Sequence, residues 1–190
     1  MIKDLAKKNR SYRRFYNDKK ITMNQLTDII ETVRFAPCGG NNQLLRFMPV
    51  CNDADNEKLF KSLRWAGYLP EWDGPVKEEQ PTAYIVVLTK AENANATNWD
   101  EGIAVQTMLL AAVEQGFGGC ILANIDRAAI AEDFGIEEGL SIKLVVALGV
   151  PKEEVVIEDI SYGTDIKYYR DEKQIHHVPK YELEELIYKK

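Results

Sequence analysis

The stretch Asn9-Arg10-Ser11-Tyr12-Arg13-Arg14-Phe15 brings the guanidiniums of Arg10 and Arg13 and the hydroxyl of Ser11 within four residues. Groups so spaced satisfy the oxygens of a phosphate from several sides. The surrounding charge agrees. Residues 1–20 hold eight basic and two acidic side chains, a local +6 in a chain of 190 residues whose formal net charge is −6. A basic start on an acidic body suggests that the first segment meets an anion. From charge alone, a solvated helix face or a nonspecific nucleic-acid arm explains it as well. A second chemical feature is the polar, glycine-bearing loop Cys38-Gly39-Gly40-Asn41-Asn42-Gln43 that follows Pro37.

Other chemistries lack their motifs. No G-x-G-x-x-G follows a strand with an acidic residue about 20 positions on, and neither a P-loop nor a G-x-S-x-G elbow occurs. Gly116-Phe-Gly-Gly119 precedes a strand and reads as a turn. His176 and His177 are the two histidines; neighbours on an extended chain point to opposite sides and do not easily share a metal. Cys38, Cys51 and Cys120 form neither a C-x-x-C pair nor a disulfide framework. With so little acid–base machinery in the side chains, an enzyme here would draw its chemistry from a cofactor. At 45 % apolar and 28 % charged the composition is that of a soluble globule. No run approaches the roughly 20 apolar residues of a membrane helix, and the first residues lack a secretory apolar core. The expectation is a soluble protein of a reducing compartment.

The elements that would hold these residues alternate. A helix is predicted from an N-cap at Thr22, with Met23, Leu26, Ile29, Ile30 and Val33 on one face, stopping before Pro37. Arg46–Cys51 reads as a strand, Asp53–Leu63 as a short helix, and residues 64–81, with Trp65, Tyr68 and Trp72, as an irregular excursion. A buried strand spans Ala83–Leu88. A helix runs from about Asn98 to Gln115 and ends at Gly116. Its middle, Ile103–Val113, is apolar nearly all round, which implies burial on two sides, the second being a dimer interface. Gly119–Ala123 and Ile142–Leu148 are further strands, separated by a helix at Asp126–Phe134. The tail holds a strand at Val155–Ile157 and a final helix after Pro179. One α+β domain spanning residues 1–190 is expected.

In this order the motifs resemble those of the FMN-dependent nitroreductase-like flavoproteins. Arg10-Ser11-x-Arg13-x-Phe15 resembles the family's opening R-S-x-R-x-F, and Ala36–Gln43 its A-P-S-x-x-N-x-Q. Gly102–Gly118 is similar to its long central helix with the following G-[LF]-G, and Val145–Pro151 to its strand ending in G-x-P. The resemblance covers nearly the whole chain. It implies a central, mostly antiparallel sheet flanked by helices, with the long buried helix at a homodimer interface and FMN sites there. It also implies an FMN-dependent NAD(P)H oxidoreductase. Hydride would pass in ping-pong fashion through flavin N5 to a nitroaromatic, quinone or similar small acceptor, in the cytoplasm, without nucleic acid, membrane or metal.

The same resemblance assigns roles. Arg10 and Ser11 would hold the FMN phosphate, with Arg170, or more weakly Lys167, as its distal partner. Arg13 would place charge near flavin N1/O2. Pro37, Cys38, Gly39 and Asn41 would border the ring from the second subunit. Leu122, Ala123 and Asn124 would present backbone N–H groups, that of Ala123 nearest N5. Trp65, Tyr68 and Trp72 either form an aromatic lid that meets substrate or pack down an irregular loop. Arg170 also reads as a surface cation. Three departures stand out. Asn9 occupies a commonly basic position, Cys38 replaces a serine and is either a pocket residue or a small packed thiol, and Leu44-Leu45 replaces Pro-Trp. The same fold also supports dehalogenation, flavin destruction, oxidative dehydrogenation and non-catalytic flavin binding.

Overall fold

The computed structural model describes residues 1–96 and 98–188. Its centre is strand β2 (Ala83–Lys90), seven of whose eight residues are buried. Alternation along β2 sends Tyr84, Val86 and Leu88 to one apolar cluster and Ala83, Ile85 and Val87 to another, so the sheet is covered on both faces. The partners of β2 are β1 (Leu45–Val50) and β4 (Leu140–Gly149), and β3 (Gly118–Leu122) completes the order β1-β2-β4-β3. Every pairing in this sheet is antiparallel.

Helices supply the two covers. On one face lie α3 (Asp53–Lys61) and α5 (Arg127–Phe134), which place Leu59 and Ile130 against the sheet beside Leu63 and Trp65. The other face receives Leu26 and Ile29 of α2 (Met23–Glu31) and Val105, Met108, Leu109 and Ala112 of α4 (Asn98–Glu114). Thr22 caps α2 in a reciprocal box with Gln25. The α-helix is shorter than its apolar pattern suggests. It ends at Glu31 and tightens into a 3-10 turn over Thr32–Phe35, where the Thr32 hydroxyl donates to the Ile29 carbonyl at 2.7 Å and the β-branched pair Thr32-Val33 weakens the helix before Pro37.

Helix α4 is covered on one side. Ala104, Val105, Met108, Leu109 and Ala112 are buried, whereas Trp99 is 86 % and Ile103 38 % exposed. Two helical segments differ from the sequence-based expectation. A helix α1 (Ile2–Lys8) precedes the basic motif, with Lys3, Lys7 and Lys8 exposed. Pro179, expected to open the final helix, lies inside strand β7 (His176–Tyr181), and α6 spans only Leu183–Leu186. Strand β7 runs parallel to β5 (Val155–Ile160) and antiparallel to the two-residue β6 (Tyr169–Arg170), making a small sheet of its own. In that sheet β7 is the central strand; Pro179 faces Glu158 on β5 at a position where β6 no longer pairs.

Candidate functional site

Residues 10–16 run extended across the first sheet. Ser11 pairs with Gly119 in a parallel bridge, and Phe15 with Pro151 in an antiparallel one. Tyr12 N–H donates to the Gly119 carbonyl (3.0 Å), Phe15 N–H to that of Glu79 (2.9 Å), and Tyr16 N–H to that of Val150 (2.9 Å). Two glycines, Gly118 and Gly149, make this close approach possible, and a third, Gly119, fits tightly against β4. A methyl group on Gly118 would lie 2.5 Å from the Tyr12 ring, on Gly119 2.6 Å from the Ala147 carbonyl oxygen, and on Gly149 2.8 Å from the Phe15 ring. In Gly116-Phe-Gly-Gly119, therefore, Gly116, with φ +83°, serves the turn, Gly118 makes room for Tyr12 of the basic segment, and Gly119 lies tight against β4 and Leu109.

Extended backbone alternates its side chains. Arg13 and Phe15 are buried, while Arg14 points away to Glu79 and bonds it at both carboxylate oxygens, 2.5 and 2.8 Å. Lys152 reaches the same carboxylate at 2.9 Å. The Arg14 fork, with Lys152, holds the Glu79 carboxyl down to about 2 against the cost of burial. Arg14 is thus a structural clamp, whereas Arg10, Ser11 and Arg13 share the wall of a cavity of about 290 Å³.

The remaining wall comes from distant parts of the chain. Gln106 and Leu109 of α4, Gly119 and Ile121 of β3, Tyr168, and His176, Val178 and Lys180 of β7 complete it with Asn9. Asn9, at the commonly basic position, donates to Gln106 Oε1 at 3.3 Å. Among the described residues three cations line the cavity and no acidic residue does. The Nε atoms of Arg10 and Arg13 are buried without a partner. Unpaired buried donors on cationic side chains are costly, and an anion with several oxygens relieves that cost. The donor set therefore fits a phosphate-bearing group.

Other candidate residues lie elsewhere. Lys167 is exposed, and neither it nor Arg170 lines the cavity. The Arg170 guanidinium donates to Glu153 at 2.8 Å and lies 4.0 Å from the Trp72 ring centroid. The basic residue that does reach the cavity from the tail is Lys180, which the sequence reading missed. The signal for it was period two: if His176-His177-Val178-Pro179-Lys180 is a strand, His176, Val178 and Lys180 share a face. Trp65 is buried in the core against Phe60, their centroids 5.8 Å apart. Tyr68, 48 % exposed, packs on Tyr168 at 4.9 Å. The excursion thus meets the tail at Tyr168 and Arg170.

Pro37, Cys38 and Asn41 line a different cavity, of about 240 Å³, with Asp100 and Ala104 of α4. Asp100, itself buried, accepts the Gly39 N–H at 2.8 Å and fixes the loop to α4. Leu122 is buried at the end of β3; Ala123 and Asn124 follow it, exposed. Within one chain, then, Arg10, Ser11 and Arg13 come together, and the 37–41 loop stands apart across α4. Burial pushes the Cys120 thiol up, which disfavours its thiolate. Among the described residues no cluster of His, Cys, Asp and Glu could hold a metal ion, and no helix is long and apolar enough to cross a membrane.

Comparison with known proteins places this geometry. The model of the nitroreductase family matches residues 6–150. A relative from Archaeoglobus fulgidus, provisionally named NADH dehydrogenase/NAD(P)H nitroreductase, is 29 % identical over 149 residues, 74 % of this chain and 80 % of its own. The fold is also similar to that of a nitroreductase family protein from Clostridium novyi NT (TM-score 0.66, 23 % identity, 80 % of this chain and 86 % of that one). It resembles an FMN-dependent nitroreductase from Clostridium difficile R20291 (TM-score 0.64, 23 % identity, 81 % and 89 %). NADPH:FMN oxidoreductase from Vibrio harveyi, solved with NAD+, is similar as well (TM-score 0.59, 21 % identity, 79 % and 68 %).

Proposed function

From a chain that belongs to the nitroreductase family, we propose an FMN-dependent oxidoreductase that draws electrons from NAD(P)H and passes them to a small acceptor such as a nitroaromatic or quinone. The observation that carries the reading is the cavity walled by Arg10, Arg13 and Lys180 with no acid among its lining residues. The names of the Clostridium difficile and Vibrio harveyi proteins, which include FMN, support the choice of flavin over other phosphate-bearing groups.

In this reading Arg10, Ser11 and Lys180, which share the cavity wall, take the phosphate rather than Arg170 and Lys167, which lie outside it. Arg13 contributes fixed positive charge in a largely buried setting, where charge acts more strongly than in water. The backbone N–H of Ala123, beyond the end of β3, serves as a hydrogen-bond donor toward the ring without titrating. When bound, FMN supplies the two-electron hydride chemistry that these side chains lack. The protein contributes orientation and preorganised charge, and substrates take turns in one site.

A homodimer completes the site. About 290 Å³ is at the lower edge of the roughly 300–1,000 Å³ typical of ligand pockets, so the cavity of one chain suits the phosphate end of the cofactor better than the whole. Helix α4 borders both cavities, and its uncovered side carries Trp99 and Ile103. A second copy packed there would bring its Pro37, Cys38, Gly39 and Asn41 toward the first copy's cations.

The test is an absorbance spectrum of the concentrated protein before and after anaerobic NADH or NADPH. Two visible flavin bands that bleach with nucleotide are expected, and an acceptor panel then ranks nitroaromatics against quinones. Bands that persist would redirect the assignment to another flavin reaction or to flavin binding alone. A colourless protein that refuses added FMN would overturn it.

A further inference from the structure

The fold treats Arg13, which lines the cavity, and Arg170, which does not, differently. Glu153, its side chain wholly buried, spends one carboxylate oxygen on the Arg170 side chain (2.8 Å) and the other on the backbone N–H of Arg13 (2.8 Å). The guanidinium of Arg13, in a residue only 8 % exposed, forms no salt bridge among the described residues. Among the described residues its partners are neutral: the Ser11 carbonyl at 3.2 Å, Nε2 of His176 at 3.2 Å, the face of Tyr168 at 4.7 Å, and the buried Cys120 thiol. Buried charges are ordinarily paired, so a guanidinium kept from the nearby carboxylate is a feature to explain.

We infer that His176 is the positioning residue of this cavity, a neutral acceptor that fixes the fork of Arg13 while leaving its charge for an anionic ligand. The imidazole is well placed for this. His176 opens β7, its N–H donates to the Glu154 carbonyl at 2.9 Å, and its ring packs on Tyr168 at 5.1 Å with 1 % of the residue exposed. Burial, with Arg13, Arg170 and His177 nearby, pushes the imidazole down to about 4, so Nε2 is free to accept at neutral pH. A carboxylate here would orient Arg13 equally well but cancel it. An apolar side chain would leave the fork without its second acceptor. Only a neutral acceptor gives both aim and charge, as the second anchor of a preorganised site requires.

The test sets His176→Gln against His176→Glu in protein shown to be folded by near-UV circular dichroism. Glutamine keeps a neutral acceptor, and glutamate adds a carboxylate of similar reach. The first readout is binding of inorganic phosphate to FMN-free protein. Wild type and His176→Gln should agree within about threefold, and His176→Glu should bind about tenfold more weakly or worse. The second readout, which rests on the flavin reading above, is the midpoint potential of the FMN-loaded protein. His176→Glu should lower it by about 30 mV for each tenfold loss of preference for the reduced ligand, and His176→Gln by less than about 10 mV.

Equal phosphate binding by the two variants overturns the inference, as does equal loss in both, which would mean that the ring only packs. Failure of wild type to bind phosphate overturns it too. Separated phosphate affinities without FMN uptake would uphold the role of His176 and overturn the flavin reading. FMN bound at one potential in all three proteins would do the reverse.

Discussion

At the scale of single residues, the two neighbouring histidines meet opposite surroundings. His176 faces Arg13. His177, on the other face of β7, lies 2.7 Å from Glu158 and 3.5 Å from Asp171 and stacks on Tyr169. Burial lowers the first imidazole to about 4; for the second, the bonds to Glu158 and Asp171 outweigh desolvation and raise it. The consequence for stability follows from proton counts. Between about pH 6.5 and 4 the unfolded chain binds a proton that folded His176 refuses, so stability present at neutral pH is lost on acidification through that window, by at most about 3 kcal/mol. Glu79 is depressed as well, and its contribution disappears only below about 4.5, as the carboxyl protonates toward about 2. Urea titrations at steps between pH 7 and 4 should show the decline, and His176→Gln should flatten its upper part. A second prediction concerns Glu153. Glu153→Ala strands the buried Arg170 and frees the Arg13 N–H, and should destabilise by about 3–5 kcal/mol in the same titration. Arg10→Ala, by contrast, should leave the melting temperature nearly unchanged and, on the proposed reading, weaken FMN retention at least tenfold by equilibrium dialysis, because among the described residues its side chain bonds only to the Ala6 carbonyl.

At the scale of elements, the basic segment depends on space as much as on charge. Gly149→Ala puts a methyl into the Phe15 ring and should cost about 1–3 kcal/mol. Calorimetry should register this as a fall of a few degrees in Tm. Phosphate binding should fall with it, since Phe15 lies on the same extended stretch of chain as Arg10 and Ser11. The main elements were legible because their signals are local. The apolar run Ala83–Leu88 is β2, Asp126 caps α5, and Gly116 ends α4. The motif Arg10-Ser11-x-Arg13 was legible because all its members sit on one extended stretch of chain. Lys180 was not. Its place depends on β7 entering a sheet with β5, and Pro179 made that stretch read as the start of a helix. From sequence Arg170 reads as a phosphate partner or a surface cation because nothing local announces Glu153, a wholly buried carboxylate 17 positions earlier. Trp65, Tyr68 and Trp72 read as lid or packing for the same reason: their neighbours Phe60, Tyr168 and Arg170 are set by the fold and not by the local sequence.

At the scale of the whole molecule, helix α4 has one covered side, and Trp99 and Ile103 lie one turn apart on the other. If a second copy covers them, Ile103→Glu should shift sedimentation from dimer to monomer and lower FMN retention together, because the partner's 37–41 loop would leave with it. Retention unchanged in a monomeric variant would mean that one chain holds the cofactor unaided.

The cavity also has a temporal side. Arg13 and His176 lie 163 positions apart, and everything between them, including all four strands of the main sheet, must be made before the two can meet. A nascent chain therefore displays its cations early, on the ribosome, with no pocket around them. The wall of the cavity is complete only once β7 has emerged and docked. On the reading proposed above, a chain halted before that point should retain less FMN in equilibrium dialysis than the finished chain.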